Sequence, residues 1–148
     1  MTEGAEGPEE TAETETAAPL AITVPAWLAD APREGALAGI VRIELPKDAL
    51  PWADAIDEQV LRRRAQYTAG VEFIAGNFGA LEPLAWDGDA LMLVFGGVAA
   101  PELPSHTFKA ARDLWNRVRT ELDLPVRLAA HVGRVRAGAE PGTVVRVR

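Results

Sequence analysis

Trp86-Asp87-Gly88-Asp89-Ala90-Leu91-Met92-Leu93-Val94-Phe95-Gly96 is the stretch on which the reading of this chain turns. Asp-Gly between apolar runs is a strong short-range hairpin signal, because tight β-loops need positive φ angles and glycine supplies one without a Cβ clash. The predicted arms are Leu84-Ala85-Trp86 and Ala90–Phe95. The second arm is apolar at nearly every position, so both of its faces are expected to be covered.

The flanking segments make a fold around this hairpin. Upstream, Trp52, Ile56, Val60, Tyr67, Val71, Ile74 and Phe78 recur at three- or four-residue spacing, which predicts one amphipathic helix with Pro51 near its start. Gly70 weakens that helix by about 1 kcal/mol against alanine and is expected to mark a bend. Gly76 or Gly79 is expected to end it. Residues 37–45 form a β-branched run closed by Pro46 and predict a central strand.

Downstream, a Gly/Pro-rich loop over 96–104 leads to Ser105, an expected N-cap. Phe108, Ala111, Leu114 or Trp115, Val118 and Leu122 predict a second helix, which Pro125 ends. Val126–Val135 and residues 143–147 predict two more strands, the last at an edge. The fold class is therefore α+β: a ferredoxin-like βαββαβ antiparallel sheet with two helices on one face.

Composition sets the boundaries. Residues 1–18 hold six glutamates and no base, so most of the net charge of −7 lies there and the remainder carries −1. With little apolar surface to bury, 1–18 reads as a disordered acidic tail. Residues 19–36 read as a lead-in, with Trp27 as a packing anchor and Pro25 opening a short helix, and 37–148 as the α+β domain. No run approaches the roughly 18 apolar residues of a membrane span. Cysteine is absent, which removes disulfides and thiolate chemistry and fits a cytoplasmic protein. Arg127, Arg134, Arg136, Arg146 and Arg148 gather near the end and alternate with apolar neighbours, the pattern of a solvated sheet face. The aromatic interleaving of single-strand binders is missing, which argues against a nucleic-acid partner.

In this topology the end of the first strand lies beside the hairpin tip, which brings Glu44 towards Asp87 or Asp89. Carboxylates on neighbouring strands can hold Mg²⁺ or Mn²⁺, and such ions neutralise a triphosphate and activate an oxygen nucleophile. The same Asp-Gly-Asp is also ordinary turn chemistry.

The hairpin resembles the Gly-Asp-Ala-hydrophobic-Met-x-x-Phe-Gly hairpin of class III adenylate and guanylate cyclases. Val126-Arg127-Leu128-Ala129-Ala130-His131-Val132-Gly133-Arg134-Val135 is similar to that family's Arg-(Ile/Val)-Gly-Ile-His-Thr-Gly-Glu-Val strand. The resemblance covers about residues 37–138 and implies a cyclase or palm-like fold. It implies that Glu44 and Asp89 stand at the metal positions, with Asp87 and Gly88 beside a bound nucleotide. The implied cofactor is Mg²⁺ or Mn²⁺, and only if the domain is active. A nucleoside triphosphate is the implied ligand, and another protein or a second cyclase-like domain the implied partner.

The sequence departs from the family pattern at several places. Glu44 replaces an aspartate, and Leu45-Pro46-Lys47-Asp48 stands where a Phe-Thr pair is expected. Ala85 falls at the purine-selecting lysine, and Arg134 at the glutamate after His-x-Gly. The chain ends at Arg148, ahead of the stretch in which the family keeps its transition-state asparagine and arginine. Losing one such donor typically costs about 10²–10³ in rate. His131 is expected to be a half-buried structural histidine, and His106 a surface residue. Three readings follow: a catalytically inactive cyclase-like domain serving as a regulatory or protein-interaction module in signalling, a metal-dependent cyclase or transferase active only with a partner, and an unrelated ferredoxin-like binding module.

Overall fold

Ala36–Glu44 form the central strand β1, and every other element is placed by its relation to it. The computed structural model describes residues 24–47, 58–138 and 144–147. The expectations for residues 1–18 and for Pro51, Trp52 and Ile56 lie outside them. Strand β3 (Ala90–Phe95) pairs with one edge of β1 and β4 (Arg127–Ala137) with the other, both antiparallel. The short β2 (Trp86–Asp87) lies outside β3 and β5 (Val144–Val147) outside β4, giving the order β2-β3-β1-β4-β5.

Alternation along β1 divides its side chains between two faces. Val41 and Ile43 point to one face with Leu91, Leu93 and Phe95. There they meet Val60, Tyr67, Val71 and Ile74 of helix α2 (Glu58–Asn77) and Leu114 of helix α3 (Leu103–Trp115). Both long helices therefore cover the same face, as the sequence predicts. On the other face, Leu28 of the short helix α1 (Ala26–Ala29) closes a smaller core with Ala38, Ile40, Val94 and Val135. Trp27 anchors this helix by lying against Gly96 and Gly97.

Gly39 permits the closest approach between α3 and the sheet, since a Cβ there would collide with Oγ1 of Thr107. That hydroxyl donates to the Leu103 carbonyl at 2.7 Å, which satisfies it in a buried position. Gly79, at φ 70°, ends α2. Its N–H donates to Gly76 O at 3.2 Å and that of Ala80 to Ala75 O at 3.0 Å, the paired bonds of a Schellman motif.

Several expectations are corrected. Ser105 is no N-cap: a 3₁₀ turn over Ala100–Glu102 already winds the chain, Leu103 N–H bonds to Ala99 O at 3.1 Å, and α3 starts two residues earlier. Gly70 lies buried inside α2, where a Cβ would stand 3.0 Å from Cγ of Arg117. Of the first hairpin arm only Trp86 is in a strand. Met92 is 40% exposed, so β3 is not covered on both faces throughout. Leu114 takes the core position, leaving Trp115 half-exposed and Phe108 64% exposed. Beyond α3 the chain widens into a π-helical turn, Asn116–Glu121, whose five-residue bond from Leu122 N–H to Arg117 O shifts the later side chains round the axis.

His106 is half-buried, not a free surface residue. Its ring packs edge-on against Phe78 and Phe95, with centroids 5.4 and 5.6 Å away. Its Nε2 lies 2.8 Å from the Phe78 carbonyl at the end of α2, so the tautomer with a proton on Nε2 donates there.

Candidate functional site

The hairpin loop is two residues long. Asp87 pairs with Ala90 in register, and Gly88 and Asp89 form the turn. Gly88 takes φ 62°, while Asp89 keeps a negative φ, the pattern of a II′ loop with glycine first. Nothing lies within 4 Å of a Cβ built on Gly88, so backbone conformation alone calls for glycine there.

On the neighbouring strand Glu44 stands opposite Ala90, one residue from Asp89. The topology thus brings Glu44 and Asp89 to one corner of the sheet, as the sequence predicts. Tyr67 of α2 reports both. Burial first, then the charges of Asp89 and Glu44, hold its phenol well above the ordinary value of about 10. The Tyr67 hydroxyl donates to the Asp89 carbonyl at 2.8 Å.

Each carboxylate already has a cationic neighbour. Arg64 Nη2 lies 3.4 Å from Oδ2 of Asp89, and Arg42 Nη2 donates to Oε2 of Glu44 at 3.2 Å. Asp87 is exposed, and among the described residues its side chain makes no hydrogen bond or ion pair. A shallow pocket of about 120 Å³ opens beside Glu44, lined by Arg42, Arg127, Leu128 and Ala129. Arg127 stands opposite Glu44 in the β1–β4 register, so two arginines flank that carboxylate on one sheet face.

Three of these residues escaped the sequence reading in their roles. Arg42 precedes Glu44 by two on a strand, which puts both on one face, so this pair was within reach of the sequence. Arg64 and Tyr67 are three apart on a helix and share a stripe, but their meeting with Asp89 depends on tertiary packing. Trp86 adds a further tie, donating Nε1–H to Glu72 Oε1 at 3.2 Å and meeting Tyr67 edge-on at 5.7 Å. Arg134 donates to the Gly35 carbonyl at 3.0 Å and so braces the turn that feeds β1. His131 is half-buried, and its Nε2 is enclosed with no partner among the described residues.

Solved structures of similar fold include a bacterial light-regulated adenylyl cyclase, at 14% identity and TM-score 0.55 over 74% of this chain and 61% of that one. A monomeric guanylyl cyclase domain of the RhoGC fusion protein from the aquatic fungus Blastocladiella emersonii matches at 15% identity and TM-score 0.58, over 76% and 68%. The guanylate cyclase domain of RhGC from Catenaria anguillulae, in complex with GTP, matches at 16% and 0.55, over 69% and 59%. The fold is that of a nucleotidyl cyclase catalytic domain. The chain spans about three fifths of the length of the first and third of these cyclase structures. At such identities the likeness establishes the fold alone. No family model matches the chain, and no curated protein does. No helix among the described residues is long and apolar enough to cross a membrane.

Proposed function

We propose that this chain is a cyclase-like domain that does not itself cyclise nucleotides and works in the cytoplasm as a regulatory module, by pairing with another protein or a second cyclase-like domain. The observation that carries this reading is the state of the two candidate metal carboxylates: each faces an arginine of its own chain. Ala85, in place of a base-selecting lysine, and Arg134, spent on the Gly35 carbonyl, point the same way.

Nucleoside triphosphate remains the ligand class to test first, because the Catenaria domain of like fold holds GTP. Here Asp87 and Gly88 at the exposed hairpin tip would lie beside it. The deciding experiment incubates the purified chain with ATP or GTP and Mn²⁺ and measures cyclic AMP or GMP. The expected result is no product beyond that of Asp89→Asn. Product that disappears in Asp89→Asn overturns the proposal.

A second reading, an enzyme completed by a partner, draws on one observation. Glu44 and Asp89 keep a shared corner, close enough for both to act on the Tyr67 phenol. In that reading Glu44 and Asp89 would hold Mg²⁺ or Mn²⁺, and cyclase activity would emerge when a second cyclase-like domain is added.

A further inference from the structure

Glu44 and Asp89 stand where two metal-binding carboxylates would, but each already faces a guanidinium, and that pairing does not fit a divalent ion. Mg²⁺ and Mn²⁺ take about six oxygen ligands at close to 2.1 Å, of which a protein often supplies one or two carboxylates and water or phosphate the rest. Among the described residues no group of three or more acidic, histidine or cysteine side chains is placed to hold an ion. Oδ2 of Asp89 instead faces the Arg64 guanidinium, and the Asp89 carbonyl accepts the Tyr67 hydroxyl.

We infer that Arg64 supplies, as a fixed part of the chain, the positive charge a divalent cation would bring to Asp89, and that the hairpin tip is a metal-independent clasp joining α2 to the β2–β3 hairpin. The inference rests on reading the domain as non-cyclising. A guanidinium is a permanent cation, so it balances the Asp89 carboxylate without any ion. Nε of Arg64 is enclosed with no partner among the described residues while 39% of the side chain stays exposed, so the guanidinium is seated at one edge against the protein. A cation on Asp89 would have to displace that guanidinium or bind against its charge. The clasp has further ties on the same helix: Tyr67 holds the loop backbone, and Glu72 holds the Trp86 indole. At the neighbouring carboxylate Arg42 repeats the arrangement.

The test uses Mn²⁺ alone as the probe, read by electron paramagnetic resonance on the full chain and on Asp89→Asn, Arg64→Gln and the double variant. Wild type and Asp89→Asn are expected to bind Mn²⁺ equally weakly. Arg64→Gln is expected to bind about tenfold more tightly, and Asp89→Asn in that background to remove the gain. Wild type binding Mn²⁺ tenfold more tightly than Asp89→Asn overturns the inference, as does Arg64→Gln with unchanged affinity. Should Arg64→Gln fail to fold, Arg64→Met keeps the packed stem, and the comparison of wild type with Asp89→Asn decides by itself. Tight Asp89-dependent Mn²⁺ binding without turnover removes this inference and leaves the proposed function standing. Cyclic nucleotide formation without such binding does the reverse.

Discussion

The hydroxyl of Tyr67, in the middle of α2, donates to the backbone carbonyl of Asp89 at the tip of the hairpin, 2.8 Å away and twenty-two residues on in sequence. One hydrogen bond thus fixes the height of the hairpin over the helix. It also leaves the phenol beside two carboxylates, and its titration becomes a readout of the whole corner.

Tyr67 is the only tyrosine in the chain, so phenolate absorbance reports it alone. Burial first, then Asp89 and Glu44, raise its folded pKa above the unfolded value of about 10. Its contribution to stability is therefore complete below pH 10 and is lost as pH climbs from there towards the folded value. Spectrophotometric titration of Asp89→Asn should show a lower midpoint than wild type. Tyr67→Phe should cost about 0.5–1.5 kcal/mol in urea unfolding at neutral pH and flatten the loss of stability above pH 10. An unchanged alkaline profile would contradict the burial of the phenol.

Gly39→Ala should destabilise by about 1–3 kcal/mol, because the new Cβ meets Oγ1 of Thr107 and α3 has to lift from the sheet. Thr107→Ala should be destabilising alone, yet relieve part of the cost of Gly39→Ala when the two are combined. A double-variant cycle in chemical denaturation measures this coupling, and simple additivity would count against direct contact.

His106→Ala should cost about 1–3 kcal/mol by denaturation, far more than a surface histidine. It opens a gap against Phe78 and Phe95 and leaves the Phe78 carbonyl without its partner. His106→Gln, which can still donate to that carbonyl, should recover part of the loss.

Gly96→Ala should dislodge α1, since ring atoms of Trp27 stand 2.5 Å from where the Cβ would be. The expected signature is faster proteolysis between residues 24 and 35 while the main core keeps its melting transition. Unaltered cleavage would mean that Trp27 finds another seat at little cost.

The sequence spoke most clearly where local chemistry and strand period act alone. Asp87-Gly88-Asp89 announced the hairpin, β-branched residues announced β1, and strand order followed from the alternation of elements. The placing of Glu44 and Asp89 at one corner of the sheet followed from that topology and needed no side-chain detail. Arg64 was not legible as a partner of Asp89, because the pair depends on how α2 is rotated over the sheet. Phe108 and Leu114 both fit a helical stripe, and only contact with β1 decides between them. His106 looked exposed because polar residues near helix starts usually are; here an aromatic nest and one carbonyl compensate its burial.

The seat of Trp27 and Leu28 gives the sheet a second, smaller core on the face away from the long helices. Leu28, Ala38, Ile40, Val94 and Val135 form a closed compartment that shares β1, β3 and β4 with the larger core as a common wall. A chain begun at residue 36 would keep every described strand and both long helices yet flood that compartment. Trp27 and Leu28 are thus a structural lining of the domain, and excising it at the strand boundary would remove one of its two cores.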